Sequence, residues 1–164
     1  MVDYLFQAIN GLAGKYAVLD WLMIACATYF VLALLGLLVY LFIKNKKKFL
    51  LVFLAMLVSW GIGELIKLLF YTPRPFAQGA TQLIQHAADS SFPSNHAAAF
   101  FSVAFALFFI KKKKLGIIFL GVALIVSFAR IFTGLHYPID ILGGALIGWV
   151  GTSLVYFLFR KRLK

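Results

Sequence analysis

Apolar residues run in five long blocks separated by short polar breaks, at residues 21–43, 49–70, 94–110, 115–132 and 138–159. A helix needs about 20 predominantly apolar residues, within about 17 to 25, to cross a bilayer. Each block meets that length, so the pattern predicts five transmembrane helices. Ahead of them, residues 3–13 place Tyr4, Leu5, Ala8, Ile9 and Leu12 at spacings of one, three or four, which gives one apolar face on a helix. That stretch is too short to span and predicts a helix lying in the membrane interface. The expected fold is an all-α integral membrane helical bundle of about five transmembrane helices plus the N-terminal interfacial helix, with residues 1–164 forming one membrane-embedded domain.

Composition agrees. The chain has 164 residues, 63% of them hydrophobic and 17% aromatic, with a mean hydropathy of +0.97; soluble domains hold about 45–50% apolar residues. Cys26 is the only cysteine and lies inside an apolar block, which excludes an internal disulfide and a cysteine metal site. The first twenty residues contain Asp3 and lack a basic region followed by a small-residue cleavage site, so no cleavable signal peptide is expected.

The formal charge of +11 sits mostly in short runs between the apolar blocks. In a soluble protein it would suggest nucleic acid; here the runs read as topology signals. Lys44 and Lys46 to Lys48, Lys111 to Lys114, and Arg160, Lys161, Arg162 and Lys164 follow alternate blocks and hold 12 of the 16 basic residues. The positive-inside rule makes that side cytoplasmic, with the amino terminus outside and the carboxyl terminus inside. The outer side then receives Lys15, Lys67, Arg74 and Arg130 together with all five acids. Three of those four cations fall in polar clusters at the ends of apolar blocks.

The first cluster is Lys67 with Arg74 and Pro75, in which Pro73 and Pro75 stop the helix. Arginine offers a planar fork for two phosphate oxygens and lysine a point charge. The second is Pro93-Ser94-Asn95-His96, where Ser94 is a natural N-cap. The free backbone N–H groups of Asn95 and His96 would present an anion site, with His96 beside it to move a proton. The third is Arg130 with His136 and Asp140. If Pro138 opens the last helix, Asp140 lies in its first turn and can orient one ring nitrogen of His136, leaving the other as a nucleophile. A snorkelling lysine, a capped helix or an ion pair would each account for one cluster alone; their convergence on one membrane face points to chemistry on a phosphate. Block 94–110 would span about 25 Å at 1.5 Å per residue, less than the roughly 30 Å of hydrocarbon, so its start would sit below the outer surface.

The motifs K-x6-R-P at Lys67 to Pro75, P-S-x-H at Pro93 to His96 and R-x5-H-x3-D at Arg130 to Asp140 together resemble the signature of the type-2 phosphatidic acid phosphatase superfamily. The stretch from His86 to Phe92 leading into Pro93 is similar, more narrowly, to bacterial undecaprenyl-diphosphate phosphatases of the bacitracin-resistance type. The resemblance implies a helical-bundle phosphatase that uses no metal or cofactor and forms a phosphohistidine intermediate. It implies that Lys67, Arg74, Ser94 and Arg130 hold the phosphate, that His96 is acid and base, and that His136 is the nucleophile oriented by Asp140. It further implies a bacterial plasma-membrane enzyme working on a prenyl diphosphate at the outer face, in carrier-lipid recycling for the cell wall. Two positions depart from the superfamily pattern: Asn95 stands where glycine is usual, and Ala129 where a serine, expected to touch phosphate or position Arg130, is usual.

Glu64, three residues before Lys67 on the same helical face, is expected to hold that lysine, with a direct catalytic role as the lesser reading. His86 and Asp89 in the outer loop would contact a second phosphate, cap the cleft or form a solvated pair. Trp60 and Trp149 are expected to pack inside the bundle, and Tyr71 and Tyr137 to join an outer aromatic belt. A phosphatase for phosphatidylglycerophosphate or phosphatidic acid, or a non-enzymatic lipid-phosphate transporter, would use the same cations. The pattern fixes no oligomeric state.

Overall fold

The computed structural model describes residues 4–160, so Asp3 and the basic residues Lys161, Arg162 and Lys164 lie outside the described residues. Seven α-helices follow in order: α1 Tyr4–Asn10, α2 Ala17–Tyr29, α3 Val31–Lys44, α4 Lys46–Leu69, α5 Asn95–Phe109, α6 Lys113–Phe132 and α7 Pro138–Phe159. A short 3₁₀ turn, Pro75–Gln78, opens the long connection between α4 and α5. The protein is an all-helical, multi-pass membrane protein. The first predicted span is broken at Phe30 into α2 and α3, yet Ala17–Lys44 remains one apolar stretch of 28 residues. With α4, α6 and α7 it makes four segments long and apolar enough to cross a bilayer; α5, at 15 residues, is the shorter fifth.

Helix ends follow local chemistry. Asn45 caps α4 by accepting the Lys48 N–H at 3.0 Å. Ser94 caps α5 by accepting from Ala97 N at 3.4 Å. Pro138 occupies the first turn of α7, where its missing N–H costs nothing, and the Asp140 carboxylate takes the Tyr137 N–H at 2.7 Å. The turn after α6 needs Gly134, whose φ of +78° a side chain would strain.

Helix α5 is the axle of the bundle, packed against α4, α6 and α7. It fits there because it is lined with small residues, with Ala97, Ala98, Ala104 and Ala106 all buried. Opposite them α7 presents Gly144 and Gly148: a Cβ at either would press into the α5 backbone at Ser94 or at Ala98 and Ser102. Close backbone approach through small residues is how helices gain packing energy where lipid removes the usual hydrophobic drive. Trp60 and Trp149 do not pack inside as expected; both are about half exposed.

Helix α1 packs against the C-terminal end of α6. Its Asn10 is buried, donating to Thr81 O at 2.9 Å and to Phe132 O at 2.8 Å while accepting from Thr81 N at 3.1 Å. One amide therefore ties the α4–α5 loop to the end of α6.

Candidate functional site

The C-terminal ends of α4 and α6 and the N-terminal ends of α5 and α7 bring the three polar clusters together. Arg74 follows α4 in an extended segment and is buried to 2% exposure. Its Nε donates to Asp89 Oδ1 at 2.7 Å, and its Nη1 donates to Leu135 O at 2.9 Å and lies 3.3 Å from His136 Nε2. A guanidinium has no acceptor, so that contact requires the lone pair on His136 Nε2 and the ring proton on Nδ1. The Nδ1 edge faces Asp140 Oδ2 at 3.4 Å. At that separation the two groups are in contact without the directional hydrogen bond expected; Oδ2 accepts the Tyr137 N–H, and Nδ1 and Asp140 Oδ1 have no hydrogen-bond partner. Burial, then the charges of Arg130 and Arg74, holds the His136 imidazole well below its ordinary range, so the ring is neutral near pH 7.

Arg130, in the last turn of α6, is 5% exposed, and its Nε has no protein partner. Its charge acts on both His136 and His96. Such a buried, unsatisfied donor on a cation calls for an anion. Ala129 beside it is buried in an apolar cluster with Met23, Cys26, Ala27 and Phe132.

Ser94 is fully buried, and its N–H donates to Asp140 O at 3.0 Å, which fixes the start of α5 against the start of α7. His96 follows in the first turn of α5. It lines a cavity of about 320 Å³ walled by Val31 and Leu34 of α3 and by Met56, Leu57 and Trp60 of α4. On the α4 side, Lys67 Nζ contacts Glu64 Oε1 at 3.4 Å, and Asn95 Nδ2 donates to the same oxygen. Glu64 thus holds Lys67, as expected, and joins it to α5.

The α4–α5 loop carries Asp89, the residue sequence reading undervalued. Burial would raise its pKa, but the hydrogen bond and charge of Arg74 outweigh it, so the carboxyl lies below its usual range. His86 sits 3.5 Å from Asp89, exposed, with its ring lowered by burial against the raising effect of the Ala87 carbonyl. Asn10 was missed as well; with Gln7 it is one of two amides on the short helix α1, and nothing in the sequence sets it apart. Tyr71 is exposed just past the C-terminal end of α4, and Tyr137 donates to Gln78 Oε1 at 2.9 Å. Among the described residues no group of three or more His, Cys, Asp or Glu side chains is arranged to hold a metal ion.

The arrangement has a neutral imidazole with its lone pair beside a guanidinium, a second unsatisfied guanidinium, and a further histidine at the mouth of an apolar cavity. It suits transfer of a phosphoryl group from a lipid. Known proteins agree. The sequence profile of the PAP2 superfamily matches residues 48–164. The bacitracin transport permease protein BcrC of Bacillus licheniformis is 36% identical over 162 residues, covering 95% of this chain and 79% of that one. The undecaprenyl-diphosphatase BcrC of Bacillus subtilis is 33% identical over 165 residues, covering 98% and 84%. In shape the chain is similar to the crystal structure of Aquifex aeolicus LpxE, with a TM-score of 0.80, 29% identity and 93% of each chain covered.

Proposed function

The chain belongs to the PAP2 superfamily and is a membrane phosphatase; from that premise we propose that it hydrolyses undecaprenyl diphosphate to undecaprenyl phosphate and inorganic phosphate. It works at the outer face of the bacterial plasma membrane, in carrier-lipid recycling for cell-wall synthesis, and its activity confers bacitracin resistance. Likeness over nearly the whole chain to a protein named for that substrate supports the choice of lipid. The positive-inside distribution of its lysine runs supports the orientation.

His136 Nε2 attacks the terminal phosphorus in line, and the bond from phosphorus to the bridging oxygen breaks. His96 gives that oxygen its proton, and undecaprenyl phosphate leaves. Water then attacks the phosphohistidine, His96 takes the water's proton, and phosphate is released as His136 regains its lone pair. Arg74 and Arg130, with the backbone N–H groups at the start of α5, stabilise charge on the equatorial oxygens, and the Ser94 hydroxyl, whose oxygen caps α5, still has its hydrogen to donate. Asp140 keeps the His136 proton on Nδ1.

The observation that carries this reading is the Nη1 to Nε2 approach of Arg74 and His136, which sets the nucleophilic lone pair beside the phosphate-binding fork. The test is phosphate release from undecaprenyl diphosphate, phosphatidic acid and phosphatidylglycerophosphate in liposomes with excess chelator. Release favouring the diphosphate, undiminished by chelator and lost in His136→Ala, is expected. Equal rates across the panel would remove the prenyl assignment, and full turnover by His136→Ala would remove the nucleophile.

A further inference from the structure

Lys67 and Asn95 come from different helices and different motifs, yet both aim a donor at one atom, Glu64 Oε1. Two donors, one of them charged, converging on a single carboxylate oxygen make a seat for an anionic oxygen of any kind. The Lys67 arm, at 3.4 Å, is longer than the roughly 2.7–2.9 Å of a strong charge-assisted bond. The internal carboxylate therefore leaves the lysine arm of the seat loosely filled. Glu64 is also the partner free to leave, with its side chain 41% exposed against 13% for Lys67.

Asn95 is set for this purpose. A carboxylate can only accept, so the amide must turn Nδ2 toward Glu64. The other end, Oδ1, is then buried without a partner, over Gly63, where any Cβ would collide with it. A glycine makes room for an amide that leaves one polar atom unsatisfied, so the value of this side chain lies in its donor.

The reaction geometry says which anionic oxygen belongs there. In-line attack by His136 places the leaving oxygen on the opposite side of phosphorus, where His96 protonates it. In a phosphate monoester that oxygen carries carbon. In a diphosphate it carries a second phosphate, which must then lie beside His96, at its chain neighbour Asn95 and at Lys67. The apolar cavity lined by Asn95 and His96 opens from the same point.

We propose that Lys67 Nζ and Asn95 Nδ2 bind the second, lipid-proximal phosphate of a diphosphate substrate, with Glu64 as the placeholder it displaces, so that Asn95 sets the preference for diphosphates over monoesters. This rests on the prenyl diphosphate reading above. The test compares the full-length protein with its Asn95→Gly and Glu64→Gln variants on undecaprenyl diphosphate and on phosphatidic acid. Asn95→Gly is expected to cut the ratio of kcat/KM for diphosphate over monoester at least about 10-fold, the order expected for losing a hydrogen bond to a charged group. Glu64→Gln, with no carboxylate charge to displace, is expected to lower KM for the diphosphate selectively. If either folded variant shifts both substrates by the same factor, the subsite is overturned while the phosphatase reading stands; should Asn95→Gly fail to fold, Glu64→Gln decides alone. A wild-type protein that releases no phosphate from the diphosphate would overturn both.

Discussion

The backbone N–H of Ser94 donates to the backbone carbonyl of Asp140 at 3.0 Å. The cap of one helix is thereby stitched to the first turn of another, two residues before His96 and four residues after His136. Gly144 packs against the same Ser94, on the carbonyl side.

Gly144→Ala would push a methyl group into Ser94 O and the Ala97 side chain. Overpacking of this kind costs about 1–3 kcal/mol. A lower melting temperature in detergent is expected, together with a fall in kcat larger than the change in KM, because the displaced unit is the one that carries His96.

Arg74→Lys keeps the charge and loses the fork. A lysine cannot meet Asp89, Leu135 O and His136 at once as the guanidinium does. Hydrogen bonds to charged groups contribute about 1.5–3 kcal/mol, so a loss of about 10- to 100-fold in kcat/KM is expected in steady-state phosphate release. Activity within twofold of wild type would show that Arg74 acts only as a point charge.

His136 titrates below its ordinary range in the folded protein. As pH falls through about 6.5, the unfolded chain takes up a proton that the native ring refuses. Between the two pKa values the unfolded state binds more protons, so native stability drops with falling pH, by at most about 1.4 kcal/mol per pH unit for this group. Thermal melts from pH 7.5 to 5.5 should show this slope, and His136→Gln should flatten it.

Asn10→Ala would leave the Thr81 N–H, Thr81 O and Phe132 O without the partner they now share. Unmet buried groups cost about 1–3 kcal/mol. The expected result is a lower melting temperature and faster proteolysis within residues 76–92, where the loop loses its tie to α6.

The spans were legible because bilayer thickness sets a length that apolar blocks either reach or miss, and Pro138 and Ser94 mark their helix starts by backbone chemistry alone. The three clusters were legible because cations rarely sit at the outer end of a span without a partner. The break at Phe30 was not, since neither proline nor glycine marks it. Asp89 was undervalued because its meaning comes from a partner fifteen residues away that only the folded loop supplies.

Helix α5 is both the shortest of the membrane-crossing elements and the one most nearly encased by the others. At about 22 Å it does not match a hydrocarbon core of about 30 Å, yet little of it meets lipid. Elastic stress from thicker or thinner membranes therefore falls on the outer ring of helices, and the axle carrying His96 is sheltered from it. Turnover should stay nearly constant across vesicles whose acyl chains differ in length, even where the melting temperature does not.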